Sequence, residues 1–152
     1  MKTLFQAIYN HFIEDPLAAS ITGLYNTSAP DKAVFPYIVF SLVTNIPDID
    51  SSQQWENGLL QFNIFSSKKS PKEITDIYEL LKGDTITGEG FDYFDLLIDD
   101  YDTVILERDS AILTQLDNKI WQYNVTYSFM LTYTGESATE KFCSNFYSLL
   151  SI

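Results

Sequence analysis

From Trp121 to Tyr133 every second residue is large and apolar or aromatic. Trp121, Tyr123, Val125, Tyr127, Phe129, Leu131 and Tyr133 alternate with Gln122, Asn124, Thr126, Ser128, Met130 and Thr132. Successive side chains of an extended chain point to opposite faces, so this period of two predicts a strand with one face in a core and the other toward solvent. Such a strand needs neighbours for its backbone and a second layer over its apolar face, which limits the chain to sheet-containing folds.

The partners are legible. Residues 103–114 are rich in β-formers, and Gln115-Leu116-Asp117-Asn118-Lys119 joins them to the alternating run with an Asp-Asn pair suited to a hairpin turn, which predicts an antiparallel pair. Residues 55–65 place Leu60, Phe62 and Ile64 in alternation with Gln61 and Asn63, the pattern of a half-exposed strand. The run Phe35-Pro36-Tyr37-Ile38-Val39-Phe40-Ser41-Leu42-Val43 is nearly continuous in apolar character. It reads as a strand buried on both faces, opened by Pro36 and ended before Pro47.

Two helices complete the pattern. Leu4, Phe5, Ile8, Tyr9, Phe12 and Ile13 form one stripe of a 3.6-residue period that ends near Pro16. Ser70-Pro71-Lys72-Glu73 reads as a helix start, with Ser70 as cap, Pro71 at the first position and Glu73 closing a capping box. Ile74, Ile77, Tyr78 and Leu81 then supply a buried stripe, and Gly83 offers a positive φ to end it. The stretch 17–33 holds turn formers and at most a short helical or extended piece, and the glycine-rich, acidic stretch 83–93 reads as a mobile loop. The order α-β-β-α-β-β predicts an α+β domain over residues 1–134, a largely antiparallel sheet with its helices packed on one face. Residues 135–152 form a tail, with a short helix expected through Phe142, Phe146, Leu149 and Leu150.

Composition narrows function more than fold. A chain of 152 residues buries enough surface to fold without staples, and its single Cys143 forms no internal disulfide. Against 9 Lys and Arg stand 21 Asp and Glu, a net charge of −12, which argues against wrapping a phosphate backbone or adhering to anionic lipid. The opening stretch lacks the apolar run and cleavage site of a secretory signal and is expected to be mature structure, and no window approaches a membrane span.

Chemistry-bearing residues are sparse. Asp99, Asp100 and Asp102 are close enough in sequence to hold a hard cation through oxygen ligands, but no further ligand is evident, and in so acidic a chain a solvated acidic turn before the next strand is the favoured reading. Asp48 and Asp50 begin a calcium-loop spacing that Ser51 and Ser52 break. His11 is the sole histidine, which removes histidine-based triads and two-histidine metal sites within one chain. Gly83, Gly88 and Gly90 lack the Gly-Lys-Ser/Thr ending of a phosphate loop. No cofactor is expected.

Taken in order, LFQAIYNHF, FPYIVFSLV, Trp55 with LLQFNIFSS, SPKEITDIYELLKG and TVILERDSAILTQLDNKIWQYNVTYSFMLTY resemble the tail-completion proteins of long-tailed bacteriophages, also called tail terminators, over residues 1–134. The resemblance implies an α+β subunit that forms a homo-oligomer, a hexameric ring. The ring would cap the tail tube protein at the head-proximal end and dock to the head connector protein, with DNA passing through its lumen without specific binding. It implies no catalytic residues and no membrane partner. Within that picture Asp92, Asp95, Asp99, Asp100 and Asp102 are candidates for a lumen or docking loop, where carboxylates would repel passing phosphate. Two other readings of the residues stay open: an acidic module that binds a basic protein, and a metal-dependent hydrolase built on Asp99, Asp100 and Asp102.

Overall fold

The computed structural model of the chain describes residues 2–49, 53–84, 86–92 and 96–135. Helix α1 (Lys2–Glu14) is followed by a 3-10 helix (Pro16–Ala19), β1 (Leu24–Asn26), β2 (Tyr37–Ile49), β3 (Gln54–Ser66), α2 (Lys72–Lys82), β4 (Tyr101–Gln115) and β5 (Trp121–Tyr133). The strands form one sheet in the order β1-β2-β3-β5-β4, antiparallel throughout except for β1 beside β2. This is the α+β class expected, with one short strand added inside the 17–33 connection. Residues 136–152 lie outside the described residues, and with them Cys143 and the expected tail helix.

The inner face of the sheet carries Ile38 and Phe40 from β2, Leu60, Phe62 and Ile64 from β3, and Val125, Tyr127, Phe129 and Leu131 from β5, all buried. The alternation along β3 and β5 thus decides which face meets the helices. Phe62 sits at the centre, its ring 4.8 Å from Phe91, 5.8 Å from Tyr127 and 6.2 Å from Phe40. From the other layer come Leu4, Ala7, Ile8 and Phe12 of α1, Leu17, and Ile74, Ile77, Tyr78 and Leu81 of α2.

Several sequence expectations are corrected. The buried stripe of α1 is Leu4, Ala7, Ile8 and Phe12, while Tyr9 and Ile13 are exposed. The apolar residues counted from sequence span too wide an arc to be buried together, and small Ala7 on the packed side lets the helix sit close. β2 is not buried on both faces and does not stop before Pro47. Ile38 and Phe40 face the core, and the strand runs through Pro47, paired with Glu56, to Ile49. β1 covers only Ile38, Val39 and Phe40, so the rest of β2 is an edge, where a residue without an N–H is tolerated.

The start of α2 is half as expected. Ser70 Oγ accepts from the Lys72 N–H at 3.2 Å, but Glu73 does not close a box and instead accepts from the Ser66 hydroxyl at 2.6 Å, tying the helix to the end of β3. Gly83 ends the helix with φ 76 and ψ −158, a glycine conformation different from the left-handed helical one. The segment after it is no loose loop. Asp84 bridges to Glu89, and Gly90, Phe91 and Asp92 are all buried. Gly83 and Gly90 pack backbone on backbone, each at positive φ, in space that a Cβ on either would fill.

Candidate assembly surface

Of the aspartates singled out from sequence, the described ones do not all stand together. Asp92 points inward: Tyr127 donates to its Oδ1 at 2.6 Å, Arg108 Nε donates to both oxygens at 3.2 Å, and Arg108 Nη2 lies 3.1 Å from Oδ2. Arg108 also donates to the Tyr78 hydroxyl. Burial raises the Tyr127 phenol far above its ordinary value, and its bond to Asp92 adds to the effect. Burial opposes the charge on Arg108, but the adjacent Asp92 carboxylate outweighs it and holds the guanidinium pKa up. Asp92 is therefore a fastener between the 84–92 segment, α2 and the sheet, not a solvent-facing charge.

Asp99, Asp100 and Asp102 are exposed at the opposite end of that connection, where β4 begins. Asp100 adopts φ 68, and its carbonyl accepts from Thr134 N–H at 2.8 Å and Gly135 N–H at 3.3 Å, which closes the turn against the end of β5. Asp95 and Asp50 lie outside the described residues. Among the described residues no three His, Cys, Asp or Glu side chains converge as a metal site.

The sheet is polarised along its strands. The end formed by Asp48, Glu56, Asp99, Asp100 and Asp102 includes no lysine or arginine in its strand segments, and the chain has none between Lys32 and Lys68 or between Lys82 and Arg108. At the other end Lys68, Lys69, Lys72 and Lys119 gather with Glu73 and Asp117. Inside the acidic end Glu56 Oε2 and Asn57 Oδ1 are buried without a hydrogen-bond partner.

The outer face of the sheet has no helix over it among the described elements. Its centre is an uncharged amide network: Gln61 donates to Asn124 at 3.2 Å, and Gln122 and Asn124 both donate to Asn63, at 3.0 and 2.9 Å. These residues bond to one another across the two central strands β3 and β5, which stiffens that surface. Tyr37 extends it at the lysine end, its ring 5.9 Å from Tyr25, 5.1 Å from Phe35 and 5.2 Å from Phe65.

Exposed apolar residues gather on the two free edges. β4, an edge strand along its length, exposes Val104, Ile105, Ile112 and Leu113, and the part of β2 beyond β1 exposes Val43, Ile46 and Ile49, between 38% and 69% each. Sequence reasoning placed Val43 in a strand buried on both faces and ended that strand before Pro47, so it missed this run of residues as an exposed edge. Ile46 and Ile49, flanking that proline in an otherwise polar stretch, were the available signal.

Two surface grooves add no catalytic constellation. One of about 490 Å³ is lined by Lys68, Ser70, Lys72, Glu73 and Asp76 beside the start of α2. The other, of about 430 Å³, is lined by His11, Glu14, Asp15 and Glu89. There His11 Nε2 lies 2.6 Å from the Gly90 carbonyl, and the buried Asp15 accepts from Gly90 N–H at 2.7 Å and Leu17 N–H at 3.0 Å, so both side chains anchor α1 to the 84–92 segment. No helix among the described residues is long and apolar enough to cross a membrane.

No protein-family model matches the chain, and no curated protein matches it in sequence. Among solved structures, a chain from the virion of a native gene transfer agent (GTA) particle is similar in fold, with a TM-score of 0.68 over 86% of this chain and 96% of its own, at 14% sequence identity.

Proposed function

We propose that the chain is a structural protein of a phage-type virion, and more narrowly a tail terminator. In this reading copies assemble as a hexameric ring on the head-proximal end of the tail tube, stop its growth and offer a surface to the head connector. The observation that carries the reading is the fold likeness to a virion chain over nearly all of that chain's length. The ordered sequence resemblance over residues 1–134 adds the narrower role.

The molecule's physical character fits. A subunit that joins two assemblies needs two different ends, and this sheet has an acidic end and a lysine-bearing one. Six copies at −12 each bring about −72 formal charges into one ring, a repulsion that salt screens. The same charge keeps DNA from sticking as it passes. Asp99, Asp100 and Asp102 are the described members of the acidic docking or lumen segment, and Asp92 serves beneath it as a structural support.

Tail tubes assembled with and without the protein test the reading. Without it, tubes imaged by electron microscopy should vary in length and run long, and its addition should restore a uniform length. Tubes of uniform length in its absence would overturn the assignment.

A further inference from the structure

The two exposed apolar edges belong to one sheet, and their directions are complementary. β2 and β5 run from the lysine end to the acidic end, and β3 and β4 run back. The long strands therefore alternate, and the β4 edge points opposite to the β2 edge on the far side. A second copy related by rotation, with its strands in the same orientation, would bring its β2 antiparallel to this copy's β4. Head-to-tail contact of this kind is what a ring requires, since a closed ring is built from heterologous interfaces.

The register makes the match specific. Across the sheet Ile46, Asn57, Met130 and Ile105 occupy one row, Asn45, Gly58, Phe129 and Leu106 the next, and Thr44, Leu59, Ser128 and Glu107 the one after. On β2 the bulge at Val43 and the donorless Pro47 bracket Thr44, Asn45 and Ile46. On β4 bulges between Thr103 and Ile105 and between Arg108 and Ser110 bracket a regular stretch that includes Ile105, Leu106 and Glu107. The two short regular stretches lie level with each other. The other regular stretch of β4, Ser110–Gln115, lies level with the part of β2 where β1 pairs with Ile38, Val39 and Phe40, so 105–107 is the stretch that meets a free, regular segment of β2.

We propose that residues 105–107 of β4 in one copy pair with residues 44–46 of β2 in the next, so that the sheet continues from subunit to subunit with Ile105 beside Ile46. This deepens the ring reading and rests on it for closure. Charge favours a second copy's β2 over its β4. Two β4 edges pairing antiparallel would set Glu107 and Asp109 against their own kind, whereas Thr44, Asn45 and Ile46 are neutral.

Disulfide cross-linking tests the pairing in full-length chains carrying Cys143→Ser. A mixture of Ile46→Cys and Ile105→Cys chains should give a cross-linked pair that neither gives alone, and the double variant should give a ladder reaching the copy number of the ring. Thr44→Cys with Glu107→Cys provides a second pair two rows along. Self-linking of Ile105→Cys as fast as the mixture, or no cross-link in either pair, overturns the proposal. If rings seen by light scattering and negative stain carry no such link, the edge pairing fails while the terminator reading stands. Linked rings without effect on tail-tube length separate the two the other way.

Discussion

The hydroxyl of Tyr127, buried in the middle of β5, donates a 2.6 Å hydrogen bond to the Asp92 carboxylate, thirty-five residues earlier in the chain. One short bond thus joins the sheet to the segment that follows α2, and Arg108 meets the same carboxylate from β4. Asp92→Ala should leave the phenol without its acceptor and Arg108 without its counter-charge, a loss of about 2–3 kcal/mol. Urea unfolding checks it. Tyr127→Phe should cost less, about 1 kcal/mol, because it removes a donor from a carboxylate that keeps Arg108.

Alkaline pH should weaken the fold before any tyrosine in the core ionises. Tyr127 is held well above its ordinary value of 10.0, chiefly by burial. Burial also raises Tyr101, with Glu56 adding to it, and Tyr123, with Tyr78 adding to it. Unfolded chains lose these protons near pH 10 while the folded chain keeps them, so stability is full below pH 10 and declines as pH rises through and beyond it. Thermal midpoints between pH 8 and 11 should fall only in the upper part of that range, and less steeply in Tyr127→Phe. A flat profile would contradict this.

Gly83→Ala and Gly90→Ala should each destabilise by about 2 kcal/mol or more, since both residues sit at positive φ and a Cβ on either meets the other's backbone. Gly135→Ala, also at positive φ but with only ordinary contacts around it, should cost less. Denaturant midpoints of the three variants would rank them, and equal losses would show that the φ angle alone matters.

Truncating Phe62, whose ring meets Phe40, Phe91 and Tyr127, should cost about 3–5 kcal/mol, because the layers on both sides of the ring cannot all collapse into the space. Phe62→Leu should recover much of that loss. Calorimetry of the two variants beside the parent chain gives the comparison.

Assembly should respond to salt. Replacing Asp99, Asp100 and Asp102 by Asn removes three exposed charges at the acidic end and should let self-association proceed at lower ionic strength. Light scattering across a salt series measures the shift, and a series that superposes on the parent's would place those residues away from the subunit contacts.

The local periods carried most of the architecture. Alternation along residues 121–133 and 60–64 decided which side chains face the core. The Asp117-Asn118 turn set the β4–β5 pairing, and the Ile74, Ile77, Tyr78 and Leu81 stripe placed α2. These are short-range consequences of side-chain direction, so they survive without knowledge of the rest of the chain. What only the tertiary structure decided involves residues far apart in sequence. Asp92 reads as one more acidic loop residue until Tyr127 and Arg108 meet it. The 83–92 glycines read as looseness until Gly83 and Gly90 are seen packed together. β2 reads as ending before Pro47 until β1 is seen to pair only with Ile38, Val39 and Phe40, leaving an edge where proline is tolerated. Burial, pairing and edge exposure are properties of neighbours across the fold, and no local pattern encodes them.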